Sequence, residues 1–296
     1  MKPTINKDLF YPMGDDNGNR RRLPSPAKHL GQHFLTDHSI AHRIVDALDP
    51  TLISTMPVLE IGPGRMILTR ILAERTSRLI VIEKDPRLLP VLQAELKSPP
   101  GAVEILLNDA MEEPFDRWDF PYLLVSNLPY NISVPLFMKI ILSPTPPLQS
   151  VLMFQKEVGE RIVAMPGSKA YGSLSVAAAL LSHVRPLFIV RPGSFHPPPK
   201  VHSMLLSLTP RKERVDPAIS GAIFLARRAF IYRRKTLKNA FAASLAPSLL
   251  QETEALFREF PGLPAQRPED LPPEKWVDLS RSLLAHNPGI FDRIEK

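Results

Sequence analysis

Between Pro57 and Lys156 the chain alternates short apolar runs with segments of helical period, and that alternation limits the possible folds more than any other feature. PVLEIG, RLIVIEKD, AVEILLND, YLLVSN and SVLMFQK read as strands, with ILTRILAER, PRLLPVLQAEL and VPLFMKIIL as helices among them. Near-continuous apolar runs of this length suit strands that are covered on both faces. Strands and helices in turn predict an α/β domain, a parallel sheet flanked by helices. Upstream, a helix beginning near Asp37 places Ile40, Ile44, Val45 and Leu48 on one face. Downstream, a small-residue helix around Ser175 to Ser182 leads to two further strands, RPLFIV and HSMLLSLTP, expected to close the sheet.

After Pro210 the pattern changes to helices alone, with prolines and charges marking the shift. A chain of 296 residues with 44% hydrophobic content exceeds what one core comfortably serves, since single cores stop growing at about 250–300 residues. The expected division is a flexible arm over 1–26, an α/β domain over 27–210 and a helical domain over 211–296. No run approaches the roughly 18 apolar residues of a membrane span, and MKPTINKDLFYPMGDD lacks a signal peptide's apolar core. A soluble, cytoplasmic protein is expected. There is no cysteine, and the two histidine pairs four residues apart, His29/His33 and His38/His42, lack the glutamate of HExxH, so no metal is expected. A net charge of +7 favours a polyanionic partner, nucleic acid first.

The chemistry begins at VLEIGPGRMILTR. A glycine turn after the first strand of such a sheet lets a ligand approach the backbone, beside the positive end of the next helix. The dinucleotide fingerprint GxGxxG would need glycine at Ile67, so the nicotinamide reading fails. What stands instead is an acidic residue, Glu60, ahead of Gly62 and Gly64, an arrangement suited to S-adenosylmethionine. Glu83 ends the second strand, placed for ribose hydroxyls, and Asp109 ends the third, placed for an adenine amine. Any one carboxylate alone reads as a helix cap or a solvated loop end. Their recurrence at successive strand ends, on the ligand-binding edge, favours a site. The next strand ends in SNLPYNIS, where the side chain of Asn127 and the carbonyl of Leu128 can grip the two N–H groups of an adenine amine. Pro129 stiffens the turn without a competing N–H, and Tyr130 can stack on the base.

The motifs LGQHFLTD, EIGPG, IEKDPRL, NDA, NLPYNIS, QKEVGERI, YGSLSV, FHPPPKVHS and RRKTLKNAF occur in this order, and the series resembles the small-subunit ribosomal RNA adenine N6,N6-dimethyltransferase family from about residue 28 to 295. The resemblance implies a Rossmann-like S-adenosylmethionine-dependent methyltransferase domain followed by a small helical domain, acting as a monomer on the rRNA of an immature small subunit. It implies that His33, Leu35 and Gly62 meet the methionine end of the cofactor, Glu83 the ribose and Asp109 the adenine. Asn127 would face both cofactor and target amine, and Phe195 would sandwich the adenine against Tyr130.

One departure stands out. The family usually has glycine where this chain has Met66, and a side chain facing the cofactor there would weaken binding. Met66 thus favours a second reading, a non-catalytic rRNA-binding assembly factor; a third is a large-subunit rRNA adenine methyltransferase. In IFLARRAFIYRRKTLKNAF, Phe224, Ala229, Phe230, Leu237 and Phe241 fall on an apolar side. Arg227, Arg228, Arg233, Arg234, Lys235 and Lys238 are expected to line a helix against phosphates, although charge runs are commonly solvated faces.

Overall fold

The computed structural model describes residues 24–26, 32–96 and 101–291; most of the expected N-terminal arm lies outside them. A short strand β1 (Phe34–Leu35) leads to α1 (His38–Val45), where Asp37 caps the first turn by accepting from the Ser39 and Ile40 amides. Ala41, Ile44 and Val45 form the buried face of α1, and a single turn, α2 (Pro50–Ile53), follows. The expected alternation then appears as β2 (Val58–Ile61), α3 (Ile67–Arg75), β3 (Arg78–Glu83), α4 (Leu89–Glu95), β4 (Ala102–Leu107), β5 (Leu123–Asn127), α5 (Ser133–Leu142), β6 (Gln149–Gln155), α6 (Lys156–Ile162) and α7 (Ser173–Leu181). β7 (Ser182–Val190), β8 (Phe195–His196) and β9 (Ser203–Pro210) complete the strands.

Seven strands form one sheet in the order β4-β3-β2-β5-β6-β9-β7. The strands from β4 to β6 run parallel, whereas β9 runs antiparallel to both β6 and β7. The sheet is therefore mixed, not wholly parallel as expected. β7 and β9 are joined without an intervening crossover helix, and a strand that returns directly beside its predecessor must run the other way. The strand order reverses between β2 and β5, which opens a crevice at the carboxyl ends of the parallel strands. β4 forms one margin of the sheet and is only partly covered; β7, interrupted by an irregularity between Pro186 and Phe188, forms the other.

The remaining helices are α8 (Pro217–Phe230), α9 (Leu237–Ser244), α10 (Pro247–Glu259) and α11 (Pro273–His286). Their buried faces, including Ala229, Leu237, Phe241 and Trp276, join the apolar side chains on one face of the sheet in a single cluster that also holds Leu59, Ile80 and Phe154. The opposite face packs with α1 and α3 in a second cluster.

The basic run does not lie along one helix. α8 ends at Phe230 and a turn occupies residues 231–236 before α9 begins, so Arg233, Arg234 and Lys235 stand on a turn. The apolar spacing that suggested continuity is met on both sides of that turn. Arg227, Arg234, Lys235 and Lys238 are exposed, and Arg228 is half-buried. Arg233 is tied inward: its guanidinium pairs with Glu269 at 2.5 Å and donates to the carbonyls of Lys169 and Ser168.

Candidate active site

The crevice at the strand-order reversal holds a cavity built from five short segments. Gln32, His33 and Phe34 enter from the N-terminal side, Gly62 and Gly64 from the turn after β2, Glu83 and Lys84 from the end of β3, Asn108 and Asp109 from the end of β4, and Asn127 to Ile132 from the end of β5. Because neighbouring parallel strands end in register, their last residues are carried to one edge without long side chains.

The glycine turn needs its glycines for different reasons. Gly62 has φ +69°, and a Cβ there would meet nothing within 4 Å, so the space beside it is open to a ligand. Gly64, at φ +54°, lies against the ring of Phe34, where a Cβ would come within 2.7 Å. This contact seats the N-terminal segment on the turn. Met66 also takes a left-handed conformation, φ 63°, as α3 begins. Its side chain is fully buried against Leu88, Val91 and Leu92 and does not line the cavity, so it does not obstruct a ligand there. The left-handed backbone turns the Cβ toward α4.

The carboxylates sit in different fields. Glu83 is buried and accepts the Asp85 amide at 2.7 Å; burial raises its pKa, with backbone donors pulling the other way. Asp109 is held below the ordinary carboxylate range because the Lys84 ammonium at 2.5 Å and the Met111 amide outweigh the effect of burial. Asp85 is lowered to about 2, chiefly by Arg87. Glu60 lies behind the turn and not in the cavity; burial pushes its carboxyl to about 8, with the charge of Glu83 acting in the same direction.

On the acceptor side, Asn127 donates Nδ2–H to the His33 carbonyl at 3.1 Å, which fixes its amide orientation and leaves Oδ1 as an acceptor. The His33 ring stacks on Tyr130 with centroids 5.4 Å apart. Leu128, Pro129 and Tyr130 line the cavity as their sequence positions predict.

Two expected residues stay out. Leu35 and Phe195 face each other across the β1–β8 pairing, both side chains buried in the core behind the cavity. Alternation along β8 sends Phe195 inward and His196 to solvent, and along β1 it is Leu35 that faces the core. Lys84, Asn108, Gln32 and Phe34 line the cavity without having been singled out; the first two adjoin Glu83 and Asp109, and that adjacency was the available signal.

Among the described residues no group of His, Asp or Glu is arranged to hold a metal ion, and no helix is long and apolar enough to cross a membrane.

Residues 25–263 match the family model for ribosomal RNA adenine dimethylase. The chain is 41% identical to the ribosomal RNA small subunit methyltransferase A of Geobacter metallireducens, over 87% of this chain and 95% of that protein. It is 38% identical to the protein of the same name from Synechococcus sp. strain CC9605, over 86% and 95%. A dimethyladenosine transferase from Plasmodium falciparum superposes with TM-score 0.72 at 26% identity, over 88% of this chain and 98% of that one. The 23S rRNA methyltransferase ErmE gives TM-score 0.62 at 25% identity, over 84% and 99%. A match across most of the chain, together with a cavity assembled from consecutive strand ends, leads to one conclusion: this chain belongs to the ribosomal RNA adenine dimethylase family.

Proposed function

We propose that this chain transfers methyl groups from S-adenosylmethionine to the N6 amines of two adjacent adenosines near the 3′ end of small-subunit rRNA, two to each, on an immature subunit in the cytoplasm. The observation that carries this reading is the convergence of Glu83, Asp109 and the Asn127–Tyr130 turn, from three successive strands, on one cavity.

The residues present suit the cofactor. Gly62 leaves open space for its methionine end beside His33, Glu83 offers a carboxylate to paired ribose hydroxyls, and Asp109 faces the place for its adenine. When bound, S-adenosylmethionine supplies a methyl group on a positively charged sulfur. The target amine is a weak nucleophile because its lone pair is delocalised into the purine ring. Asn127 Oδ1 and the Leu128 carbonyl each accept one of its N–H groups and draw the lone pair out of conjugation, which is orientation and electrostatics combined. Pro129 holds that carbonyl in place, and Tyr130 stacks on the base, a contact worth about 1–3 kcal/mol. Once alkylated, the nitrogen is acidic and loses its proton to water, so no dedicated base is required. Residues 211–296 act as a second, RNA-contacting domain through Arg227, Arg234, Lys235 and Lys238, and the protein works as a monomer.

The binding-only reading rested on Met66, whose side chain packs against α4. The test is methylation of small subunits from cells lacking this activity, followed by mass spectrometry of the digested rRNA. N6,N6-dimethyladenosine at two adjacent positions is expected. Modification confined to large-subunit RNA, or cofactor binding without transfer to any RNA, overturns the proposal.

A further inference from the structure

The loop between β8 and β9 and the start of β9 meet the acceptor side of the cavity at two points. His33 Nδ1 lies 2.8 Å from the Pro197 carbonyl, which can only accept, so Nδ1 carries the proton. The hydroxyl of Tyr130 lies 2.6 Å from that of Ser203. Ser203 is fully buried, and the pairing of β9 with Gln155 of β6 and Val190 of β7 fixes its backbone on both sides. Neither residue beside it in sequence shares that position: His202 is exposed, and Met204 packs toward Gly159 of α6.

Tyr130 is thereby held at three places. Its carbonyl accepts from the Ser133 hydroxyl at 3.1 Å, one ring face meets His33, and its phenolic tip meets Ser203. The stack on His33 sets the rotation of the ring about its own axis, a torsion that is otherwise broad, but neither it nor the backbone contact fixes the direction of that axis. The tip contact fixes that direction, because the phenolic oxygen lies at the far end of the axis. A half-buried phenol also needs a partner for its hydroxyl, and Ser203 supplies it. With Phe195 buried in the core, the plane of Tyr130 sets how a base can lie in this cavity.

We propose that Ser203 is a positioning residue for methyl transfer, its hydroxyl fixing the tilt of the Tyr130 ring axis and with it the plane in which the target adenine stacks. This rests on the assignment of Tyr130 as the stacking platform. Small errors in that plane move N6 away from its two acceptors and lower the rate of transfer, while the cofactor, held from β2, β3 and β4, is unaffected.

The test uses Ser203→Ala, Tyr130→Phe and the double variant, each measured by single-turnover transfer to small subunits and by cofactor titration. Each single change is expected to slow transfer about ten-fold with cofactor Kd unchanged, and the double variant to be no slower than about ten-fold, because both changes remove the same hydrogen bond. Multiplicative losses, wild-type rates in Ser203→Ala, or a loss that follows cofactor affinity overturn the proposal. Should Ser203→Ala fail to fold, Tyr130→Phe decides alone, since it breaks the bond without touching β9; a full rate there overturns the idea. Inactivity of the wild type on every RNA would instead overturn the function proposed above.

Discussion

At Met66 two opposing terms meet. A left-handed conformation costs a non-glycine residue roughly 1–2 kcal/mol, and glycine would remove that strain. Its buried side chain, however, contributes more, since truncating a buried methionine costs about 2–5 kcal/mol. Met66→Gly is therefore expected to lower the melting temperature and leave cofactor affinity unchanged; tighter binding in a titration would show that the side chain obstructs the cavity after all. Glu60 gives a second residue-scale expectation. Its carboxyl titrates near 8 in the folded chain against an ordinary 4.5, so the folded state keeps a proton that the unfolded chain releases. That contribution to stability is complete below the lower value and is lost as pH rises through the upper one. Glu60→Gln should flatten the fall in urea stability between about pH 5 and about pH 8, and an unchanged slope would show that Glu60 is ionised in the fold. At Asn127, replacement by alanine removes an acceptor at the reacting nitrogen and is expected to slow transfer about 10²–10³-fold, by analogy with single oxyanion-hole donors, with cofactor affinity nearly retained in calorimetry. Glu83, Asp109 and Asn127 were legible in the sequence because each ends an apolar run. Leu35 and Phe195 were not, because a strand of two residues has no period from which to read its inner face.

The break between α8 and α9 shows how an element can mislead. Apolar residues continue at helical spacing across residues 231–236, yet the chain turns there, with the Lys235 amide bonded to the Tyr232 carbonyl and the Leu237 amide to that of Gln266. The turn aims Arg233 at Glu269 and at the carbonyls of residues 168 and 169, which joins the α6–α7 connection to the helical region. Arg233→Ala should cost about 1–2 kcal/mol, the pair being partly exposed, and should appear in a thermal melt while the salt slope of RNA binding stays unchanged. Its exposed neighbours should behave in the opposite way. Arg234→Ala or Lys238→Ala is expected to leave the melt unaltered and flatten the log–log salt dependence by roughly 0.7–0.9 for each phosphate no longer neutralised. If Arg233→Ala flattens the slope and spares the melt, the assignment of roles within this turn is reversed.

At the scale of the molecule, the doubly wound half was readable from alternation alone, whereas the antiparallel placement of β9 was not. Strand direction depends on how a connection runs in space, and the proline-rich RPGSFHPPPK segment carries no period to report it. The buried cluster that runs from the sheet to Trp276 of α11 has a thermodynamic consequence: the two regions should unfold in one calorimetric transition, and two separated transitions would show that this shared packing is weak. The two margins of the sheet differ in what they offer to other chains. On β7, Pro186 presents no N–H and the local irregularity bends the strand, both poor templates for strand addition. β4 has neither device. Its AVEILL segment is apolar except for Glu104, which pairs across to Arg78 at 3.4 Å, and it ends in an exposed Leu107. Among the described residues a single carboxylate thus guards this margin against fibre-like self-association, and Glu104→Val should make the protein scatter light on concentration or mild heating well before the native fold melts.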